Sequence, residues 1–363
     1  MSTFNTAFTF RRRITLKKDH IDANLTNFPL KVSFSGDASI GAACRADGYD
    51  VIFTSEDGTT ALKFEREYFN ISGGLATGVF WVKVPAVSKN GTTAIYMYYG
   101  DADATNTADP TNVWDSNFKA VYHMKDGADA SHTNDSTAGA HTGTKKFANQ
   151  PIQSDGLIYK AQTFNGTEDY IDADDHADFD ITAEITIETL IYLNEITAGQ
   201  VLVTKGISAS WTSNNYIMGL LSGKLEGRWG TVGTVSADAA LTVSGWHHVA
   251  FTVAPGTTDK LALYVDGVLV KNANRTGDPT TNNAVLRMGV DATQSNPFDG
   301  IMDEMRISNA ARSAAWMKFS AHNMIDVDGC LSWGPERRAF SFGQQGAAGE
   351  THKGVARARL RRR

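Results

Sequence analysis

Residues 185–193 read ITIETLIYL. Successive side chains of an extended chain point to opposite sides, so Ile185, Ile187, Ile191 and Leu193 share one apolar face. That spacing suits a strand buried between two sheets. The same period of two continues outward. Toward the N-terminus, Ala94, Tyr96 and Tyr98 oppose Ile95, Met97 and Tyr99, and Phe80, Val82 and Val84 oppose Val79 and Trp81. Leu30, Val32 and Phe34 alternate with polar neighbours, as do Ile14 and Leu16. Toward the C-terminus, Trp246 and His248 alternate with His247 and Val249. In IMDEMRIS, Ile301, Asp303, Met305 and Ile307 are expected on one face, with Met302, Glu304 and Arg306 on the other. Asp57-Gly58 and Asp266-Gly267 are hairpin signals, because both central residues of a type I′ turn need positive φ. The best helical pattern is short, at 310–322. Many short strands with Gly, Asn and Asp punctuation predict an all-β chain of two tandem antiparallel β-sandwiches. The boundary is expected near Phe118, with the polar stretch 125–156 a linker or long loop.

The composition agrees with a folded chain. Of 363 residues, 42% are hydrophobic and 20% charged, which excludes wholesale disorder. No apolar run approaches 18 residues, so no membrane insertion is expected. The start, MSTFNTAFTFRRRITL, places its positive charges after a polar-aromatic stretch, the wrong order for an export leader. Two cysteines, Cys44 and Cys330, are too few for a disulfide framework. Residues 351–363 carry Lys353, Arg357, Arg359, Arg361, Arg362 and Arg363 with no acid. The formal net charge of −6 therefore divides into a basic tail at 336–363 and an acidic body. Such a tail suits an acidic protein surface or nucleic acid, without the interleaved aromatics that stack on bases.

Eight pieces in order carry a family resemblance: AVYHM, DSTAG, TFNGTEDYID, ITIETLIYL, VTKG, GWHHVAFTV, LYVDGVLV and FDGIMDEMRISNAARSAAW. Residues 119–335 resemble the LamG-like jelly rolls of the concanavalin A-like lectin/glucanase superfamily. Residues 4–118 resemble the small β-sandwich family of unassigned function that commonly precedes them. The carrying residues there are FRRRITL, NFPLKVSF, DGYDVIFTSEDGTTALKFE, FWVKVPAV and IYMYYGD. The pairing implies two domains, at 1–118 and 119–335. It implies little about activity, since such folds host lectins, hydrolases and structural modules.

Candidate chemistry is sparse. Glu184 and Glu188 superficially resemble a glucanase E-x-D-x-E strand, but Thr186 replaces the middle acid. Residues i and i+4 of a strand lie ~13 Å apart. A glycosidase pair needs carboxyls about 5–9.5 Å apart. Both glutamates are therefore expected on a solvent face, and no catalytic residue is assigned. DYIDADDHADFD places Asp169, Asp172, Asp174, Asp175, Asp178 and Asp180 close together, as a solvated acidic loop or a cation site. The resemblance separately implies a structural Ca2+ at Asn165, Gly166 and Asp303. His247 and His248 point to opposite faces and do not share a metal. No nucleophile elbow, activated thiol or phosphate-binding glycine loop is present. For sugars, Trp211, Tyr216 and Trp229 are the candidate exposed aromatics.

These features predict a non-catalytic structural or adhesion protein whose jelly roll binds a glycan or another surface, such as a host polysaccharide. The expected setting is a bacteriophage virion (tail, fibre or capsid exterior), assembled in the host cytoplasm, with other virion proteins and copies of itself as partners. A secreted or cell-surface bacterial or archaeal adhesin is the alternative, and a glycoside hydrolase a third.

Overall fold

The computed structural model describes residues 7–146, 150–207, 214–325 and 329–339. The alternating N-terminal segments form two facing antiparallel sheets. In one, Leu75–Val87 lies between Leu25–Asp37 and Phe64–Ser72, with Leu30 opposite Val82 and Val32 opposite Phe80. In the other, Phe10–Leu16 pairs with Thr93–Tyr99, which pairs with Ile52–Ser55. Ile14, Phe53 and Met97 meet Leu30, Phe80 and Val82 in a common core, and the Phe53 ring sits 5.4 Å from both Phe64 and Phe80.

The far end of the sequence completes this sandwich. Leu331–Trp333 pairs with Phe10–Leu16 on the side away from Thr93–Tyr99, and Arg337–Arg338 pairs with Phe10 and Arg11. Residues 331–335 thus add to the first sandwich rather than ending the second, and the segment expected as a free basic tail begins as a strand. The rest of that tail, 340–363, lies outside the described residues.

The jelly roll is one sheet folded over on itself. Its end strands, Gly233–Ala240 and Val268–Ala273, come back alongside each other, tied by Lys271 to Asp238 at 2.8 Å. Strand pairings among the described residues are antiparallel throughout. The stretch 125–156 is no linker: His132–Asp135, Gly143–Lys146 and Ile152–Asp155 are strands of this sheet. Asp266 (φ +50°) and Gly267 (φ +77°) form the expected turn. At Asp57-Gly58 only Gly58 is left-handed, and Asp57 instead accepts the Thr60 hydroxyl and the N–H groups of Thr60 and Thr59, which pull its carboxyl well below the usual range.

The helix runs Ala314–Ile325, beginning four residues later than expected. Ser313 Oγ accepts the Trp316 N–H at 3.2 Å, the usual role of Ser at a helix start. Residues 310–312 stay outside the helix, where Thr186 Oγ1 donates to Ala310 O and accepts the Arg312 N–H. The helix covers the edge strand Leu25–Asp37: the Asn323 amide receives the Lys31 N–H at 2.7 Å and donates to Lys31 O at 3.0 Å, as a neighbouring strand would.

One irregularity decides where the charges go. Glu188 faces Arg306 and Leu190 faces Asp303, so an extra residue is inserted between Asp303 and Arg306. Glu304 there has φ +54°. This β-bulge shifts the alternation by one residue. Met302, Met305 and Ile307 enter the jelly-roll core, while Asp303, Glu304 and Arg306 are buried outside it. The regular alternation expected for IMDEMRIS is therefore broken in its middle.

Candidate functional site

Charged side chains converge where the two sandwiches meet. Glu65 and Glu67 come from Phe64–Ser72, Trp81 from Leu75–Val87, and His123 from Phe118–Asp126. Glu304 and Arg306 come from the bulged strand Asp299–Ser308. The His123 ring lies 2.6 Å from Glu304, 3.2 Å from Glu65 and 3.6 Å from Glu67. Trp81 Nε1 donates to Glu67 at 2.8 Å, and Trp114 Nε1 to Glu65 at 3.0 Å. Arg306 donates to Glu304 at 2.7 Å, with its guanidinium 4.3 Å from the Trp81 ring.

Burial alone would push His123 down, but Glu304, Glu65 and Glu67 hold it protonated, well above the ordinary imidazole value. Glu304 and Glu65 are lowered against the cost of burial, chiefly by His123. Glu67 goes the other way, pushed up to about 7 by burial. Asp303 is raised well above the carboxylate range by burial and by its neighbours Glu304 and Glu67. These buried groups form an ionic joint between the domains in which Glu67 Oε1, Asp303 Oδ1 and Arg306 Nε have no hydrogen-bond partner among the described residues, and they offer no solvent-facing acid pair.

The structure separates the expected calcium ligands. Asn165 sits opposite Asp299, not Asp303. Asp303 is four residues further along, ~13 Å in a strand. Asn165 Oδ1 is taken by the N–H groups of Thr167 and Glu168 and the Thr167 hydroxyl, and Gly166 N–H by Phe298 O. Asp303 accepts the Ile158 N–H instead. The three residues do not fit one cation.

The sugar candidates are corrected too. Tyr216 and Trp229 are 0% exposed and stack in the jelly-roll core, so neither presents a face to a ligand. Trp211 lies outside the described residues. Glu188 is not on a solvent face: at 1% exposure it accepts hydrogen bonds from His248 (3.0 Å) and Ser320 (2.8 Å). Burial would raise it, but His248 and Arg306 bring it down to about 2. Glu184 is half-buried and receives the Ala311 N–H. His247 and His248 do face apart, toward Asp266 and Glu188 respectively.

The aspartate run is largely paired off. Asp172 binds Arg287 at 2.7 Å. Asp175 and Asp180 lie 2.6 and 3.3 Å from Lys205, whose side chain is 0% exposed. Asp178 meets His141 at 3.1 Å. Sequence reasoning missed these bases because Lys205 and Arg287 lie on distant strands.

A crevice of about 490 Å³ runs along the domain junction, near this run. Asn27, Lys83 and Asn112 line it from the first sandwich side, and Ser116, Lys119 and Asp178 from the jelly-roll side. Amides, hydroxyls and two lysines, Lys83 and Lys119, are among the groups that line it.

Comparison with known proteins agrees with this architecture. Residues 165–318 match the family model Laminin_G_3, described as the concanavalin A-like lectin/glucanases superfamily, and residues 47–137 match DUF2341, a domain of unknown function. The chain thus carries a concanavalin A-like domain preceded by a DUF2341 domain. Among solved structures, domain 4 of AbnA, an extracellular arabinanase from Geobacillus stearothermophilus in complex with arabinotriose, is 21% identical. That match covers 56% of this chain and 98% of that one, with a TM-score of 0.45. The binding domain of Paraclostridial Mosquitocidal Protein 1 is 14% identical, over 57% of this chain and 52% of that one, at TM-score 0.44. Trypanosoma rangeli sialidase is 10% identical, over 70% and 41%, at TM-score 0.43. No curated protein matches the chain.

Proposed function

We propose that this protein is a non-catalytic binding module that holds a glycan or glycan-bearing surface in the junction crevice. The observation that carries this reading is the commitment of Glu188. The strand acid that most resembles a glycosidase residue is buried under His248, Ser320 and Arg306 and works as structural glue. The crevice, by contrast, offers polar groups at the surface. Glycan-array binding tests this. Wild-type protein is expected to select a polysaccharide class, and Lys83→Ala with Ser116→Ala to weaken it with an unchanged melting temperature. Selective binding that ignores these substitutions moves the site elsewhere.

For the setting, the proposal is a virion exterior, built in a reducing cytoplasm. Its support is that burial and ion pairs hold the two sandwiches together, forces indifferent to redox state. Copies of the chain and other virion proteins are the proposed partners, with the basic segment beyond 340 meeting an acidic surface. Immunogold labelling decides between particles and a cell surface, the latter being the adhesin alternative.

A further inference from the structure

His141, His176 and Asp178 bring one donor atom each to within 4.8 Å of one another. His141 Nε2 lies 3.1 Å from Asp178 Oδ2, and His176 Nδ1 lies 3.6 Å from the same oxygen. Tetrahedral zinc, with bonds of about 2.0–2.1 Å, places its donors about 3.3 Å apart. The two observed distances bracket that value. The other Asp178 oxygen faces Lys119 at 3.5 Å, which leaves Oδ2 for the imidazoles. The buried Phe179 ring packs 4.8 Å from the His141 ring and fixes its plane. The site is held by local structure: His176 Nδ1 accepts the Asp178 N–H at the start of the 3-10 turn Ala177–Phe179. A cation on that atom replaces one hydrogen bond.

We propose that His141, His176 and Asp178 bind one divalent transition metal of the zinc class. Two imidazoles select borderline metals over calcium or magnesium, which prefer all-oxygen shells. Three protein donors leave a fourth position, and Asp178 lines the junction crevice, so that position is within reach of a ligand oxygen. The inference stands independently of glycan binding.

Tag-free full-length protein titrated with Co2+ tests it. One equivalent is expected to give the intense visible absorption of tetrahedral cobalt, displaced by Zn2+ and unaffected by Ca2+. His176→Gln changes a half-exposed side chain whose one hydrogen bond is to the Asp178 N–H, and an unchanged melting temperature is expected for it. It and Asp178→Asn are each expected to weaken binding at least about tenfold. His322→Gln, altering a separate stacked histidine pair with His20, keeps the signal. No tetrahedral absorption in wild type, its persistence in both site variants, or its loss in His322→Gln overturns the assignment.

Discussion

His123 Nδ1 and Glu304 Oε1 lie 2.6 Å apart, with at most 2% of either side chain exposed, at the seam between two β-sandwiches. Each comes from the jelly roll, yet the other carboxylates around the imidazole, Glu65 and Glu67, come from the first sandwich. One protonated ring thus joins the two domains.

Replacing His123 with Gln removes that shared cation and leaves three buried carboxylates facing one another. Breaking a buried pair from one side costs about 3–5 kcal/mol. Urea denaturation should show a loss of that size. The double variant with Glu304→Gln should lose less than the sum of the singles, because the charge left behind is then smaller. Strict additivity would mean the two groups are not coupled.

The same cluster sets a pH profile. Glu188, at about 2 folded against 4.5 ordinarily, adds stability above pH 4.5 that is lost as pH falls toward 2. His123 is raised, so its contribution is full below pH 6.5 and is lost as pH rises through its higher folded value. Glu67, raised to about 7, holds its proton more tightly when folded and erodes stability as pH climbs from 4.5 to 7. Thermal melts should peak on the acid side of neutrality, at roughly pH 5–6. Asp303→Asn, which cannot ionise, should flatten part of the alkaline decline. A maximum above pH 8 would contradict these assignments.

Trp229→Ala should act through packing. With its side chain fully buried against Tyr216, truncation is expected to cost about 3–5 kcal/mol in denaturation. Glycan affinity measured on the folded fraction should not change. Loss of binding at unchanged stability would restore Trp229 as a contact residue.

The pairing of Leu331–Trp333 with Phe10–Leu16 makes the first sandwich depend on a segment three hundred residues away. Truncation before Leu331 exposes the Ile14 edge and removes Trp333 from its 6.0 Å contact with Phe34. Hydrogen exchange at 14–16 should then accelerate at least tenfold, with the jelly-roll strand 185–193 less affected. Equal acceleration in both would show that the two sandwiches unfold as one unit.

How much was legible follows from what determines each feature. Period-two alternation in ITIETLIYL and TAIYMYYG depends on each strand alone, so the sandwiches and the Asp266-Gly267 turn could be read directly. Glu65 and Glu67 drew no attention in FEREYF, because nothing local reveals that a second domain covers that face. The bulge at Glu304 reversed the side to which Asp303 points, and no residue in IMDEMRIS announces an inserted position. Trp229 and Tyr216 sat among polar neighbours that suggested exposure, while the sheet's closure buries them. The aspartate run read as a solvated acidic loop or a cation site because its bases, Lys205 and Arg287, are tertiary partners.

The central claim is that the jelly roll binds without cutting. Its most direct test incubates the protein with the polysaccharide class it selects, following retention by affinity electrophoresis and new reducing ends together. The account predicts retention with no new reducing ends. Reducing ends that accumulate with wild type and vanish in a folded Glu188→Gln variant would contradict it.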